Sequence, residues 1–318
     1  MNVKLKAALW HYSGFFKPGR SRVGELPADV IQYLSPDNPF LKELKRRYAV
    51  FNESPHSSWA SWEGKVNLLK FRGENDYVSQ TYFLNTARRY EMTLAYAEAM
   101  DTLGLFSLLK EDELFGAKTW EFVPGQRISR DLMDSIIEIT FLSQALGFKL
   151  NDRFRILDIG AGYGRFSHRF TTAFPNGSAT CIDAVPTSTF LSDFYLKFRN
   201  CDRVKVVPLN HVADLQNGTY DLAMNIHSWS ECTKQFITFW LDRLCDLKVP
   251  YLFIVPHFGN LSSLETDGAS LTYDDELERC GFKLVLKQRK FHKSKLVDSL
   301  GVFPADYWLF KREINSRV

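Results

Sequence analysis

The sequence predicts an α/β fold in which a seven-stranded sheet at 151–318 follows a mainly helical cap at 1–150. From residue 153 onward, short apolar runs alternate with helical patterns, and this alternation predicts a parallel sheet covered by helices on both faces. The first run leads directly into a glycine-rich turn, Asp158-Ile159-Gly160-Ala161-Gly162-Tyr163-Gly164. Ligands bind at the carboxyl edge of such sheets, so we expect the cap to cover that edge.

Three helical patterns precede the sheet. Residues 39–48 form the clearest one near the N-terminus. Between residues 80 and 109, apolar side chains recur at steps of three and four, which predicts one long amphipathic helix. Residues 129–146 form the third, with Ser129 as the N-cap and Gly147 just past the end.

The sheet is predicted to end in a way that distinguishes two classes of α/β protein. A short capped helix at 272–280, ended by Gly281, comes before the last two strands. We expect the last strand to insert antiparallel into the sheet, which a dehydrogenase domain does not show. The predicted strands are residues 155–159, 179–183, 204–208, 220–226, 251–256, 282–288 and 306–311.

Composition and charge exclude several classes of function. The 40 basic and 37 acidic residues leave a net charge of +3, which gives no field for nucleic acid or a membrane surface. The 5 cysteines are scattered and form no Cys-x-x-Cys pair, so we expect a reduced, cytoplasmic protein without a zinc site. The apolar stretch at 7–10 is too short for a signal peptide or a membrane span. The sequence leaves a homo-oligomer open.

The glycine turn predicts a nucleotide site. Glycine tolerates positive φ and has no Cβ, so backbone N–H groups can approach a ligand at the positive end of a helix. A dinucleotide fingerprint would need its third glycine at position 165, where the chain has Arg165, whereas the third glycine here is Gly164. An NAD(P)-dependent oxidoreductase is therefore disfavoured. It stays the alternative from another class, together with a non-catalytic nucleotide-binding protein.

The spacing Asp-x-Gly-x-Gly-x-Gly after a strand resembles motif I of the class I S-adenosylmethionine-dependent methyltransferases. The resemblance implies a Rossmann-like sheet, S-adenosylmethionine as the cofactor, and a turn that wraps the methionine part of it. Asp183 ends the next strand, 19 residues past Gly164 and near the spacing of about 20 expected of a ribose-binding acid. Its alternative role is to cap the following turn. The cofactor-binding residues are predicted to be Asp158, Gly160, Ala161, Gly162, Gly164, Asp183, Ala184, Asn225 and Arg130.

Polar side chains are dense after the fourth strand, where a methyltransferase would place the base that deprotonates the acceptor. His227 is the first candidate base, with Glu231 fixing its tautomer. Asn225 is expected to bond the amino or carboxylate end of the cofactor. The alternative makes His227 a helix-cap residue and Trp229 a packing residue. His257, just past the fifth strand, is the second candidate base.

Three segments together resemble the sugar O-methyltransferase family of polysaccharide and O-antigen gene clusters. They are Ser129-Arg130-Asp131-Leu132, the glycine turn, and Asn225-x-x-Ser228-x-x-Glu231. The resemblance covers roughly residue 75 onward and implies a sugar or glycan hydroxyl as the acceptor. It departs at Cys232, where methionine is expected.

Arg130, in the first of these segments, is expected to reach the cofactor carboxylate or a substrate phosphate, or else to form a surface salt bridge. The alternative within enzymes is a small-molecule O- or N-methyltransferase of secondary metabolism.

A required metal ion is not expected. Some sugar and catechol methyltransferases hold a divalent cation with carboxylates. Here Glu265 and Asp267 share one loop, whereas the acids at 274–276 fit the first turn of a helix.

Overall fold

The computed structural model describes residues 19–20, 24–50, 58, 64–73, 77, 87–257 and 259–313, with only the backbone of 19–20. The apolar stretch at 7–10 and the first part of the predicted helix at 80–109 lie outside the described residues. Within the described part of the chain, no helix combines the length and the apolar character needed to cross a membrane.

The helices and strands alternate from residue 155 onward, as the sequence predicts. The helices are α1 (Ala28–Tyr33), α2 (Pro39–Ala49), α3 (Ala87–Met100), α4 (Leu105–Leu108), α5 (Arg130–Leu146), α6 (Arg165–Ala173), α7 (Pro186–Phe198), α8 (Lys234–Asp246), α9 (Asp274–Arg279) and α10 (Lys295–Leu300). The strands are β1 (Gly19–Arg20), β2 (Trp120–Val123), β3 (Gln126–Ile128), β4 (Arg155–Ile159), β5 (Ser178–Ile182), β6 (Val204–Val206), β7 (Leu222–Ile226), β8 (Tyr251–Val255), β9 (Phe282–Arg289) and β10 (Asp306–Arg312).

Seven strands form the main sheet in the order β6-β5-β4-β7-β8-β10-β9. The pairs from β6 to β8 are parallel, whereas β10 runs antiparallel to both β8 and β9. The predicted antiparallel insertion of the last strand is therefore confirmed. The predicted fold class, an α/β fold with a Rossmann-like seven-stranded sheet, is confirmed with it, and the observed strand bounds lie within two residues of the predicted ones.

The sheet carries an apolar layer on each face. Leu157 packs with residues of α2, α7 and α8, whereas its neighbour Ile156 packs with residues of α3, α5 and α6 on the opposite face. Each layer combines residues from before and after position 150. The division into 1–150 and 151–318 stays a prediction.

The predicted helix at 80–109 is wrong in extent. The chain leaves the helix at Met100, and α4 starts after Gly104, whose φ is +71°. The Asp101 carboxylate accepts hydrogen bonds from the amides of Leu105 and Phe106, at 2.8 and 2.9 Å. A capping carboxylate thus begins a new helix where the apolar spacing alone predicts continuation.

The cap also contains a small antiparallel sheet of β1, β2 and β3, which was not predicted. Gly125, with φ +80°, lies in the turn between β2 and β3. The Pro124-Gly125 dipeptide is a turn signal that could have revealed this hairpin. Helix α5 agrees with its prediction, because Ser129 accepts from the amide of Leu132 and Gly147 has φ +78°.

Candidate functional site

A cavity opens at the carboxyl edge of the main sheet, where the strand order reverses between β4 and β7. The ends of β4, β5 and β7 line it, together with His257 just past β8. This switch point is the usual ligand site of open α/β sheets. The cavity is therefore the candidate functional site.

The glycine turn forms the floor of the cavity, and its shape requires glycine. Gly160, Gly162 and Gly164 have φ values of +72°, +57° and +83°. A Cβ on Gly160 would lie 1.8 Å from Ser228 Oγ, and one on Gly162 would lie 2.9 Å from the Tyr77 ring. The backbone thus approaches its neighbours more closely than any side chain permits.

Asp183 joins the turn to the end of β5. Its Oδ2 accepts from the Gly162 amide and its Oδ1 from the Val185 amide, both at 2.9 Å. The carboxylate therefore caps the following turn, which is the alternative role considered, and it lines the cavity as well. Burial raises the pKa of Asp183 to about 7, against the opposing effect of the two amide donors.

Asp158 is a second carboxylate in the cavity wall. It is buried and accepts a hydrogen bond of 2.8 Å from Ser167 Oγ. Burial raises the pKa of Asp158 to about 6, although this hydrogen bond lowers it. Ala161 and Ala184 line the same cavity.

Asn225 lies at the end of β7 and shapes the loop that follows. Its Nδ2 donates to the carbonyl of Ile159, at 2.8 Å, and to Ser228 Oγ, at 2.6 Å. Its Oδ1 accepts from the Trp229 amide at 2.9 Å. These bonds engage both ends of the amide, and its contact with a cofactor stays a prediction.

The loop after β7 brings both candidate bases together. The rings of His227 and His257 stack with centroids 4.6 Å apart and an interplanar angle of 8°. Glu231 contacts His257, with 3.1 Å between Oε1 and Nε2, so the predicted pairing of Glu231 with His227 is wrong. The reason is local: a 3₁₀ turn at Ser228–Glu231 carries the carboxylate toward the end of β8.

His227 occupies the N-cap position of that turn at φ +71°, but its side chain makes no capping bond. Its Nδ1 is buried and has no hydrogen-bond partner among the described residues. Burial lowers the pKa of His227 well below its ordinary value, and the nearby His257 and Arg130 lower it further. His227 is therefore a neutral imidazole near neutral pH. Trp229 is fully buried, in its alternative role as a packing residue.

Arg130 is buried in the cavity wall, so a surface salt bridge is excluded for it. Its Nε donates to Asp134 Oδ2 at 3.1 Å, and Lys290 Nζ contacts the other oxygen of the same carboxylate. Two cations thus share one carboxylate, whereas the neighbouring Arg165 has its own partner in Glu138. Arg130 thus brings a guanidinium to the cavity wall, beside a carboxylate that it shares with Lys290.

Three contributors to the site were not predicted: Tyr77, Lys290 and Phe303. Tyr77 covers Gly162 and its hydroxyl lies 3.1 Å from Ser188 Oγ. Phe303 reaches Arg130, and Lys290 reaches Asp134, only through the folding of the β9–β10 connection. No periodicity or motif marks either residue. Among the described residues, no group of three or more His, Cys, Asp or Glu could hold a metal ion.

No protein-family model and no curated protein match the chain. Solved structures do match it. The [4+2]-cyclase SpnF has a TM-score of 0.43 and 12% identity, over 61% of this chain and 86% of that one. An S-adenosylmethionine-dependent methyltransferase from Leishmania major has a TM-score of 0.42 and 16% identity, over 56% and 72%. Magnesium protoporphyrin IX methyltransferase from Synechocystis PCC 6803, solved with S-adenosylhomocysteine, has a TM-score of 0.41 and 12% identity, over 58% and 86%.

Proposed function

We propose that the protein is an S-adenosylmethionine-dependent methyltransferase that methylates a hydroxyl of a sugar or glycan. The observation that carries the proposal is that one cavity contains both a nucleotide cradle and a histidine–glutamate pair. The cradle is formed by the glycine turn and Asp183, and the pair by His257 and Glu231. Cofactor and acceptor groups would therefore meet at the same strand ends.

The polar groups of the cavity fit the parts of this cofactor. Asp183 would accept hydrogen bonds from the ribose hydroxyls, because an ionised carboxylate is a strong acceptor. Arg130 would hold the carboxylate, because its guanidinium lines the cavity and can donate charge-assisted hydrogen bonds to an anion. Asp158 would hold the ammonium group. When bound, S-adenosylmethionine supplies a methyl group on a sulfonium, whose leaving group is a neutral thioether.

The histidine–glutamate pair is suited to remove the proton of an acceptor hydroxyl. His257 would take that proton, and Glu231 would stabilise the resulting imidazolium. His227 stays neutral, and its buried Nδ1 offers a hydrogen-bonding position beside the base. We therefore assign the base to His257 and a positioning role to His227.

The sugar acceptor is supported by the segment Asn225-x-x-Ser228-x-x-Glu231, which acts as one structural unit. Asn225 bonds Ser228 and the Trp229 amide, and the turn they shape presents Glu231 to His257. The resemblance to sugar O-methyltransferases thus falls on residues that build the proposed base. We also infer a reducing, cytoplasmic location, because all five cysteines are free thiols.

Calorimetric titration with S-adenosylhomocysteine, NAD and NADP tests the cofactor. We expect selective micromolar binding of S-adenosylhomocysteine by the wild-type protein and binding at least about tenfold weaker in Asp183→Asn, which removes the charged acceptor. Binding of a dinucleotide alone would overturn the proposal in favour of an oxidoreductase. Binding of neither would favour a non-catalytic protein.

Transfer of a labelled methyl group from S-adenosylmethionine tests the acceptor. The acceptor panel contains free sugars, nucleotide-linked sugars, lipid-linked sugars and small phenols and amines, with His257→Ala as the inactive control. The proposal is supported if the wild-type protein labels sugars and labels neither phenols nor amines. Labelling of phenols or amines instead would support a small-molecule methyltransferase.

A further inference from the structure

The ring of Phe303 contacts three residues of the site at once. Its centroid lies 3.8 Å from Arg130 Cζ, so the guanidinium lies on the face of the ring. The same ring meets His227 at 5.3 Å and His257 at 6.4 Å, in T-shaped arrangements of 79° and 77°. Phe303 therefore contacts both the proposed carboxylate-binding residue and the proposed base.

The backbone of Phe303 is held in a conformation that phenylalanine rarely adopts, with φ +51°. The buried Lys290 Nζ donates to the carbonyls of Val302 and Phe303, at 3.3 and 3.1 Å. The Val302 amide donates to Thr93 Oγ1 of α3 at 2.8 Å. A residue in the left-handed region persists only where its surroundings fix it, and such residues cluster at functional sites.

Lys290 connects this backbone to Arg130 by a second route. Its Nζ also contacts Asp134, the carboxylate that accepts from Arg130 Nε. One buried lysine thus fixes both the position of the Phe303 ring and the partner of the guanidinium beneath it. The orientation of Arg130 depends on both contacts.

We propose that Phe303 is a positioning residue that holds the Arg130 guanidinium and the stacked imidazoles at a fixed separation, an inference that rests on the proposed function. An aromatic face attracts a guanidinium and shields it from water. A looser guanidinium would hold the cofactor carboxylate less well, and a looser imidazole pair would be more hydrated. The ring thereby aligns the proposed donor and acceptor ends of the site.

The first test compares Phe303→Leu with Phe303→Tyr in S-adenosylhomocysteine titrations. Leucine keeps an apolar side chain but removes the aromatic face, whereas tyrosine keeps that face. We expect binding weaker by on the order of tenfold in Phe303→Leu and within about twofold of wild type in Phe303→Tyr. The matched control is Phe122→Leu, a half-buried ring of the same apolar cluster that stacks on Trp120. Phe122→Leu should bind S-adenosylhomocysteine with the same affinity as the wild type.

The second readout does not require a ligand. Deuterium exchange at the C2–H of His227, followed by mass spectrometry, should be faster in Phe303→Leu than in the wild type and unchanged in Phe122→Leu. The proposal would be overturned if Phe303→Leu and the wild type had the same exchange rate or the same affinity for S-adenosylhomocysteine. It would also be overturned if Phe303→Leu and Phe122→Leu lost the same amount of affinity. If the wild type binds no S-adenosylhomocysteine, the proposed function fails, and the exchange rates alone decide the role of Phe303.

Discussion

At the scale of single residues, Asp183 connects the shape of the turn to the chemistry of the cavity. The carboxylate is protonated below about pH 7 in the ligand-free protein, because burial raises its pKa to about 7. Ribose hydroxyls donate to the ionised form, so binding would lower this pKa and release a proton. We therefore expect the affinity for S-adenosylhomocysteine to fall as the pH falls through about 7. Asp158 has a pKa of about 6, so its protonation should lower the affinity for S-adenosylhomocysteine further at lower pH.

Calorimetry from about pH 5 to pH 9, in buffers of different ionisation enthalpy, measures both the affinity and the proton release. Asp183→Asn is the control, because it cannot ionise and should lose the dependence near pH 7. A wild-type affinity that stays constant from pH 6 to pH 8 would contradict the assignment of Asp183 to the ribose.

The two stacked histidines differ in their partners, and this difference predicts different effects of mutation. His257 contacts Glu231, whereas the buried Nδ1 of His227 has no partner among the described residues. We expect His257→Ala to lower kcat by about 100-fold to 10,000-fold, as the loss of a general base does. Glu231→Gln should lower kcat less, because the imidazole remains.

The measurement is steady-state methyl transfer to the acceptor found in the panel, with S-adenosylhomocysteine affinity as the control for folding. His227→Ala should lower kcat by a smaller factor than His257→Ala. A larger loss in His227→Ala than in His257→Ala would return the base to His227.

At the scale of elements, the glycine turn and the loop after β7 fit against each other at one point. A Cβ on Gly160 would overlap Ser228 Oγ at 1.8 Å, and Gly160 also has φ +72°. We expect Gly160→Ala to lower the free energy of unfolding by about 2–5 kcal/mol, from steric overlap and left-handed strain together. Chemical denaturation measures this loss.

A double-mutant cycle separates the two causes. Gly218→Ala is the matched control for strain, because Gly218 has φ +69° and nothing within 4 Å of a Cβ. Gly218→Ala should lower the free energy of unfolding by only about 1–2 kcal/mol. The Ser228→Gly single variant measures the loss of the hydrogen bond from Asn225, and with it the cycle should give a coupling energy between the two positions of about 1–3 kcal/mol. Additive losses in the double variant would show that the two residues do not contact each other.

Helices and turns were predictable from the sequence where residues close in the chain determine them. The turn from β4 to α6 follows from three glycines, and α5 follows from Ser129 and Gly147. The split between α3 and α4 was not predicted, because one capping carboxylate, Asp101, outweighs the apolar periodicity there.

Contacts within the site were less predictable. The sequence indicates His257 and Glu231 as separate candidates, but their pairing joins positions 26 apart in the chain. Phe303 and Lys290 carry no local signal at all. Their roles depend on the β9–β10 connection, which only the tertiary structure places beside Arg130.

At the scale of the whole molecule, a cluster of ion pairs in the cap contacts the glycine turn. Arg72 contacts Glu111, Asp112 and Asp131 at 2.5, 2.8 and 3.3 Å. Asp131 in turn accepts from the hydroxyl of Tyr163, within the turn, at 2.6 Å. The cap is thus connected to the glycine turn through the buried carboxylate of Asp131, which belongs to this ion-pair cluster.

These ion pairs and the shared apolar layers predict that the chain unfolds as one cooperative unit. Differential scanning calorimetry should show one transition, and Arg72→Met should move all of it to lower temperature. The variant would leave Arg169 as the ion-pair partner of both Glu111 and Asp131, and breaking a buried ion pair costs up to about 3–5 kcal/mol. Arg46→Met is the control, because Arg46 is exposed and its loss should leave the Tm unchanged. Two transitions, only one of them moved by Arg72→Met, would instead show that the predicted unit at 1–150 folds independently of the sheet.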